Sequence, residues 1–183
     1  MLLLSGKLRR ISCYLYSMKR SVLIMICFLS AHVTFAQPDS TQPPFKRFPG
    51  YPPVKLLLPD SISFFSKDDL PKKEAVLLVL FNPECEHCRH ETEDIIKHID
   101  KFKNIRIVMA TTMPFDTMMA FRTRYQLDKY RNIIVGQDIH YFLPTFFMIR
   151  SLPFLAFYSR KKELISVFEG LLPVEKLLKE FEK

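Results

Sequence analysis

An unbroken apolar run, Ala75 to Phe81 (AVLLVLF), is followed by the loop Asn82-Pro83-Glu84 and then by Cys85-Glu86-His87-Cys88 at the head of an amphipathic stretch. A short apolar run with no polar alternation is the pattern of a strand covered on both faces. In the stretch from about Glu86 to Lys103, Cys88, Thr92, Ile95, Ile96, Ile99 and Phe102 share one helical face, while Arg89, Glu93, Lys97 and Asp100 lie mostly off it. The spacing therefore predicts a buried strand that delivers two cysteines to a helix N-terminus. Cys88 is drawn toward the core, and Cys85 sits before the first full turn, toward solvent.

That arrangement suits disulfide exchange. The free amide groups and dipole of a helix N-terminus favour a thiolate at Cys85. Cys85 then attacks a substrate disulfide, and the shielded Cys88 resolves the mixed disulfide. The two intervening residues act in opposite directions: protonated His87 stabilises a neighbouring thiolate and Glu86 opposes it. A metal carrier is the competing reading, with zinc or copper held by Cys85, Cys88 and a nearby histidine. Structural zinc usually takes four ligands, no second C-x-x-C is present, and His90 and His98 fall on surface positions of the helix. His140, between Ile139 and Tyr141, reads as a partly buried structural residue. No metal site is therefore expected.

The other two cysteines, Cys13 and Cys27, lie in an N-terminal targeting segment. Met18-Lys19-Arg20 precedes the apolar run Ser21 to Ala36, which ends in Thr34-Phe35-Ala36, a small-x-small pattern for cleavage before Gln37. The run is shorter than the roughly 20 residues of a membrane span, so a cleaved signal peptide is favoured over an uncleaved anchor. With that segment removed, Cys85 and Cys88 are the remaining pair, and they close a loop too small to staple a fold. The formal charge of +8 has the same origin. Lys7, Arg9, Arg10, Lys19 and Arg20 supply most of the excess with no acid among them, so a phosphate-binding surface and a nucleic-acid partner are not indicated.

Residues 1–36 are thus read as signal peptide or anchor, 37–53 as a Pro-rich linker and 54–183 as one domain. The linker (QPDSTQPPFKRFPGYPP) shows no periodicity and reads as an extended tether. Leu56-Leu57-Leu58 and Ile62 to Phe65, joined by Pro59-Asp60-Ser61, predict a β-hairpin. Beyond the cysteine helix, Ile105 to Ala110 predicts a strand, Pro114 to about Tyr130 a helix, and Ile133 to Val135 a short strand. Phe154 to Tyr158 and Leu164 to Phe168 pair across Ser159 to Lys162, and Pro173 to Lys183 closes the chain as an amphipathic helix. The order β-α-β-α-β-β-α describes an α/β fold, a mixed sheet with helices on its faces.

Taken together, the strand-Cys85-x-x-Cys88-helix unit, the stretch Ile149 to Phe157 (IRSLPFLAF) and the strand, Gly170 and terminal helix at matching spacing resemble the thioredoxin superfamily, in particular its exported TlpA/ResA-like branch. The resemblance spans about residues 54–183. It implies a thioredoxin fold with an extra N-terminal β-hairpin and a cis Leu152-Pro153 bond facing the cysteines, where backbone groups of Leu152 pair with an extended substrate. It also implies protein thiol and disulfide substrates on the periplasmic side of a membrane. Two positions depart from the pattern. Many thioredoxins carry a buried carboxylate where this chain has Val79, leaving Glu84 or Glu86 as loop substitutes, and Glu84 replaces the aromatic residue often found before the first cysteine.

A thiol peroxidase shares the scaffold, but its P-x-x-x-T-x-x-C context is absent. No Gly-rich nucleotide loop or dinucleotide fingerprint occurs, so no cofactor is expected and reducing equivalents come from an upstream redox partner protein. Met113, Met118, Met119, Phe142, Phe146 and Phe147 offer material for an apolar substrate surface, although such residues more often fill a core.

Overall fold

The computed structural model describes residues 42–183. The expected signal peptide or anchor and the first part of the linker lie outside the described residues. In chain order the elements are α1 (Pro44–Arg47), β1 (Leu56–Leu57), β2 (Phe64–Phe65), β3 (Ala75–Leu80), α2 (Glu86–Lys97), β4 (Ile105–Thr111), α3 (Phe115–Arg124), β5 (Ile133–Gln137), α4 (Phe142–Phe147), β6 (Phe154–Tyr158), β7 (Leu164–Glu169) and α5 (Val174–Glu180). Short 3-10 turns occupy Lys67–Asp69, Ile99–Phe102 and Leu127–Lys129.

The apolar run of β3 lies inside the sheet, whose order is β2-β1-β5-β4-β3-β6-β7. It pairs in parallel with β4 and antiparallel with β6, so both its edges are satisfied. Alternation along the strand divides the core in two. Leu77, Val79 and Phe81 pack with Cys88 and Ile95 of α2 and with α3 and α5. Val76, Leu78 and Leu80 face the opposite way, toward Ala156, Tyr158 and α4. The expected hairpin is present as β1 and β2, and β1 extends the sheet by pairing with β5. Among the described residues no helix is long and apolar enough to cross a membrane.

Residues 44–53 differ from an extended tether. Among the described residues, α4 covers part of the second face of the sheet, and apolar side chains of the segment before β1 pack beside it. Phe45 packs at a tilt against Phe147, with ring centroids 5.6 Å apart, and Tyr51 against Tyr158 at 5.1 Å. Phe45, Tyr51 and Val54 are all buried. The backbone follows: Tyr51 N–H donates to Lys162 O at 2.9 Å and Leu164 N–H to Pro49 O at 2.7 Å. Burial of side chains this large is worth roughly 1.5–3 kcal/mol each, enough to fix a segment with no periodicity of its own.

Both long helices stop short of their expected ends. At His98 the chain tightens into the 3-10 turn that carries Phe102 into the core. After α3, Gln126 adopts a left-handed conformation (φ 50°), which turns Leu127 inward. Helix α4 was not expected from the sequence. The buried Asp138 caps it, accepting from Phe142 N–H at 3.1 Å and Leu143 N–H at 2.8 Å. Pro144 in its first turn is compatible with the helix because amide groups there have no intrahelical partner.

Candidate active site

Where β3 ends, Asn82 turns the chain toward α2. Its Oδ1 accepts from Glu84 N–H at 2.8 Å and its carbonyl accepts from Cys85 N–H at 3.0 Å. Such a side-chain-supported turn is a common use of asparagine. Cys85 is then the N-cap residue of α2, and its carbonyl accepts the first helical bond, from Arg89 N–H at 3.1 Å. The Arg89 side chain folds back and donates to Glu84 O at 2.9 Å, clamping loop to helix.

The two sulfurs occupy different environments, and both are thiols. Cys85 is half-buried and Cys88 is buried at 1% exposure. Burial pushes the Cys88 thiol up to about 12; the neighbouring Cys85 and Glu91 add to this, and a hydrogen bond from Asn82 N–H, 3.5 Å from Sγ, opposes it. Facing the pair, the Leu152–Pro153 peptide bond is cis, and the Cys85 thiol lies 4.0 Å from Leu152 O. Cys85 and Leu152 also border one cavity of about 560 Å³.

Cys85, Cys88 and the Leu152–Pro153 turn are therefore brought together, from β3, α2 and the approach to β6. Glu84, Glu86 and His87 are exposed, and among the described residues no hydrogen bond joins their side chains to either sulfur. The two loop carboxylates thus do not replace the buried group missing at Val79. His140 is exposed rather than partly buried, because it follows the inward-facing Asp138 at the open end of β5. Met118, Phe146 and Phe147 are core residues, whereas Met113 borders the cavity beside Cys85. Among the described residues no three histidine, cysteine or acidic side chains gather closely enough to hold a metal ion.

One residue at the site escaped the sequence reading. Glu91 lies one turn beyond Cys88 on the same helix face and is only 2% exposed. Its Oε2 accepts from Leu172 N–H at 3.0 Å, while Oε1 has no partner among the described residues. Desolvation raises this carboxyl from 4.5 to about 7, the Leu172 bond opposing and the nearby Asp94 adding. The spacing Cys88, Glu91, Thr92, Ile95 (i, i+3, i+4, i+7) was the available signal: an acid in the middle of an apolar stripe.

No family model and no curated protein matches the chain. Solved structures do match, among them a thiol:disulfide interchange protein of the thioredoxin family from Chlorobium tepidum TLS. It is 14% identical, with 78% of this chain and 97% of that one covered and a TM-score of 0.61. The fold is that of thioredoxin. A secreted disulfide oxidoreductase from Mycobacterium tuberculosis, homologous to Escherichia coli DsbE, carries the same thioredoxin fold at 15% identity, covering 70% and 93% of the two chains with a TM-score of 0.58. StoA from Bacillus subtilis matches at 15% identity over 70% and 97%, with a TM-score of 0.53. On this thioredoxin fold the cysteine loop and the turn before β6 meet at the end of the sheet where β3, β4 and β5 all finish.

Proposed function

We propose that this chain is an exported thiol–disulfide oxidoreductase that exchanges disulfides with protein thiols through Cys85 and Cys88. The observation that carries the proposal is the asymmetry of the pair: a reachable sulfur at a helix N-terminus, beside the Leu152 carbonyl, with a second, fully shielded sulfur one turn away. Exchange needs an attacking thiolate with access and a resolving thiol that other reagents do not reach.

In the reducing direction, the Cys85 thiolate attacks one sulfur of a substrate disulfide. A Cys85–substrate bond forms, and the other substrate sulfur leaves as a thiolate. Cys88 then gives up its proton and attacks Cys85 Sγ, forming the Cys85–Cys88 disulfide and releasing the second substrate thiolate. Two electrons pass from protein to substrate, and an upstream dithiol protein restores the starting state. A thiol held near 12 does not ionise unaided at neutral pH. Glu91, poised near 7 and electrostatically coupled to Cys88, is the proton acceptor in this scheme. Leu152 and Pro153 provide the surface on which the substrate backbone lies, and Glu84, Glu86 and His87 act on the thiolate through the field at the helix end.

The targeting pattern at residues 18–36 and the secreted character of the similar Mycobacterium tuberculosis protein support action on the periplasmic side of a membrane. The direct test is substitution of each sulfur. Cys85→Ser abolishes exchange, and Cys88→Ser accumulates mixed disulfides on Cys85. Reduction of a disulfide substrate by the Cys85→Ser protein at the unmodified rate contradicts the mechanism.

A further inference from the structure

The end of the sheet remote from the cysteines carries a second cavity, of about 880 Å³. It forms where β3 and β4 begin and where β6 turns into β7, so Ala75, Ile105, Ser159 and Leu164 all border it. Strand β3 runs from there to Leu80 beside Cys85, a length of roughly 17 Å at the usual rise per residue. Ile105, Ile165 and Phe181 give the cavity apolar surface, and Arg160, Lys161 and Lys183 give it a basic margin. Arg160 and Lys161 are exposed, as are Lys72, Lys73 and Lys103 in the loops that enter β3 and β4, and none of the five enters an ion pair among the described residues. The acids nearby are Glu163 in the lining, Asp100 and Glu182 on adjacent turns, and Glu180, which holds Lys183 at 2.7 Å. A further lysine fixes the arrangement. Lys162 Nζ donates to Pro71 O at 2.8 Å and to Glu74 O at 2.7 Å, tying the Arg160-Lys161 turn to the Lys72-Lys73 loop.

Read along the chain, these charges nearly balance once the N-terminal segment is set aside; the fold separates them. Basic residues gather at this end, while the exposed acids Glu84 and Glu86 stand beside the cysteines at the other. An anionic surface draws such a domain in basic end first. We propose that this end is a docking surface for an anionic phospholipid membrane, with a headgroup seated among Arg160, Lys161 and Lys183 over the apolar side chains. Attachment of this kind combines buried apolar area with attraction to anionic lipid. Two further observations select lipid over an acidic polypeptide. A redox partner seated here would present its cysteines to the end of the sheet that has none. The chain also carries its own apolar run, Ser21 to Ala36, which brings it to a membrane during export. Docked in this way, Cys85 faces away from the bilayer, toward soluble substrates. The proposal does not depend on the direction of exchange.

The test is co-sedimentation of the full chain with vesicles of phosphatidylcholine mixed with phosphatidylglycerol. Three proteins are compared: the unmodified chain, Arg160→Ser/Lys161→Ser, and Lys46→Ser/Lys55→Ser, which removes the same charge from exposed positions outside the cavity. The N-terminal run and its basic residues are common to all three and cancel. Each basic residue near an anionic surface is worth about fivefold in partitioning, so the Arg160/Lys161 variant binds more weakly by on the order of twentyfold. The Lys46/Lys55 variant binds like the unmodified chain. Disulfide exchange in solution keeps its rate in the Arg160/Lys161 variant, which shows that it is folded and separates this reading from the exchange reading. Equal binding by the unmodified chain and the Arg160/Lys161 variant overturns the docking surface. So does an equal loss in the Lys46/Lys55 variant, which would assign the effect to net charge alone. Binding of an oligoglutamate peptide through Arg160 and Lys161, without binding to the vesicles, overturns the lipid assignment in favour of an acidic polypeptide.

Discussion

Leu172 N–H donates to Glu91 Oε2 at 3.0 Å, tying the segment ahead of α5 to the helix that carries both cysteines. The bond holds a carboxyl group that burial keeps protonated up to about pH 7, against an ordinary value of 4.5. Between those two values the native state retains a proton that the unfolded chain has released. Stability therefore falls as pH rises from about 4.5 to about 7 and is level above. Replacing Glu91 with Gln removes that slope, and the variant gains on the unmodified protein by up to about 3 kcal/mol above pH 7. Denaturant midpoints of the reduced proteins across this range measure it. The same variant resolves mixed disulfides more slowly, with a rate that no longer changes with pH near 7.

Alkylation separates the two sulfurs. Cys88 is buried and its thiol is pushed up to about 12, so iodoacetamide at neutral pH modifies Cys85 alone in the folded dithiol protein. Peptide mass mapping after timed quenching shows a single adduct, and a second one only after denaturation. Equal labelling of both residues in the folded state contradicts the geometry.

The segment before the hairpin is tested at Tyr51. Its ring is buried against Tyr158, and its hydroxyl has no partner among the described residues. Tyr51→Ala removes a large buried side chain and costs about 3–5 kcal/mol, as such truncations do. Tyr51→Phe removes only the unpaired hydroxyl and is neutral or stabilising by roughly 1 kcal/mol. Were residues 44–53 a free tether, neither change would move the unfolding midpoint.

The main strands were readable because burial leaves a periodic record. Uniform apolarity marked β3 as a two-sided strand, and the stripe through Cys88, Thr92 and Ile95 marked the inward face of α2. What the sequence concealed depended on tertiary context. Phe45 and Tyr51 pack beside α4 on the second face of the sheet, a face recorded in β3 and β6 rather than in the linker. Helix α4 depends on a cap from Asp138, whose inward orientation its own neighbours do not announce. Glu91 was legible in principle, but an acid on a helix is ordinarily a solvated residue, and only the carboxylate missing at Val79 made a buried one meaningful.

Gly136 tests how the hairpin is attached to the sheet. A Cβ at this position would lie 2.7 Å from Leu56 Cβ and 3.2 Å from Leu57 O, so β1 must shift to admit it. Gly136→Ala is expected to destabilise by about 1–3 kcal/mol through overpacking. Thermal unfolding of the variant measures this, and β1, next to the edge strand, exchanges its amide hydrogens faster.

The most direct test of the central claim is an equilibrium titration of Cys85 and Cys88 in glutathione or dithiothreitol buffers, read by thiol counting. The expected result is one reversible two-electron couple with a slope of about 30 mV per tenfold change, at a potential between about −270 and −120 mV; the lower end marks a reductant and the upper end an oxidant. Two thiols that oxidise independently, or a pair that no buffer in this range converts, would contradict it.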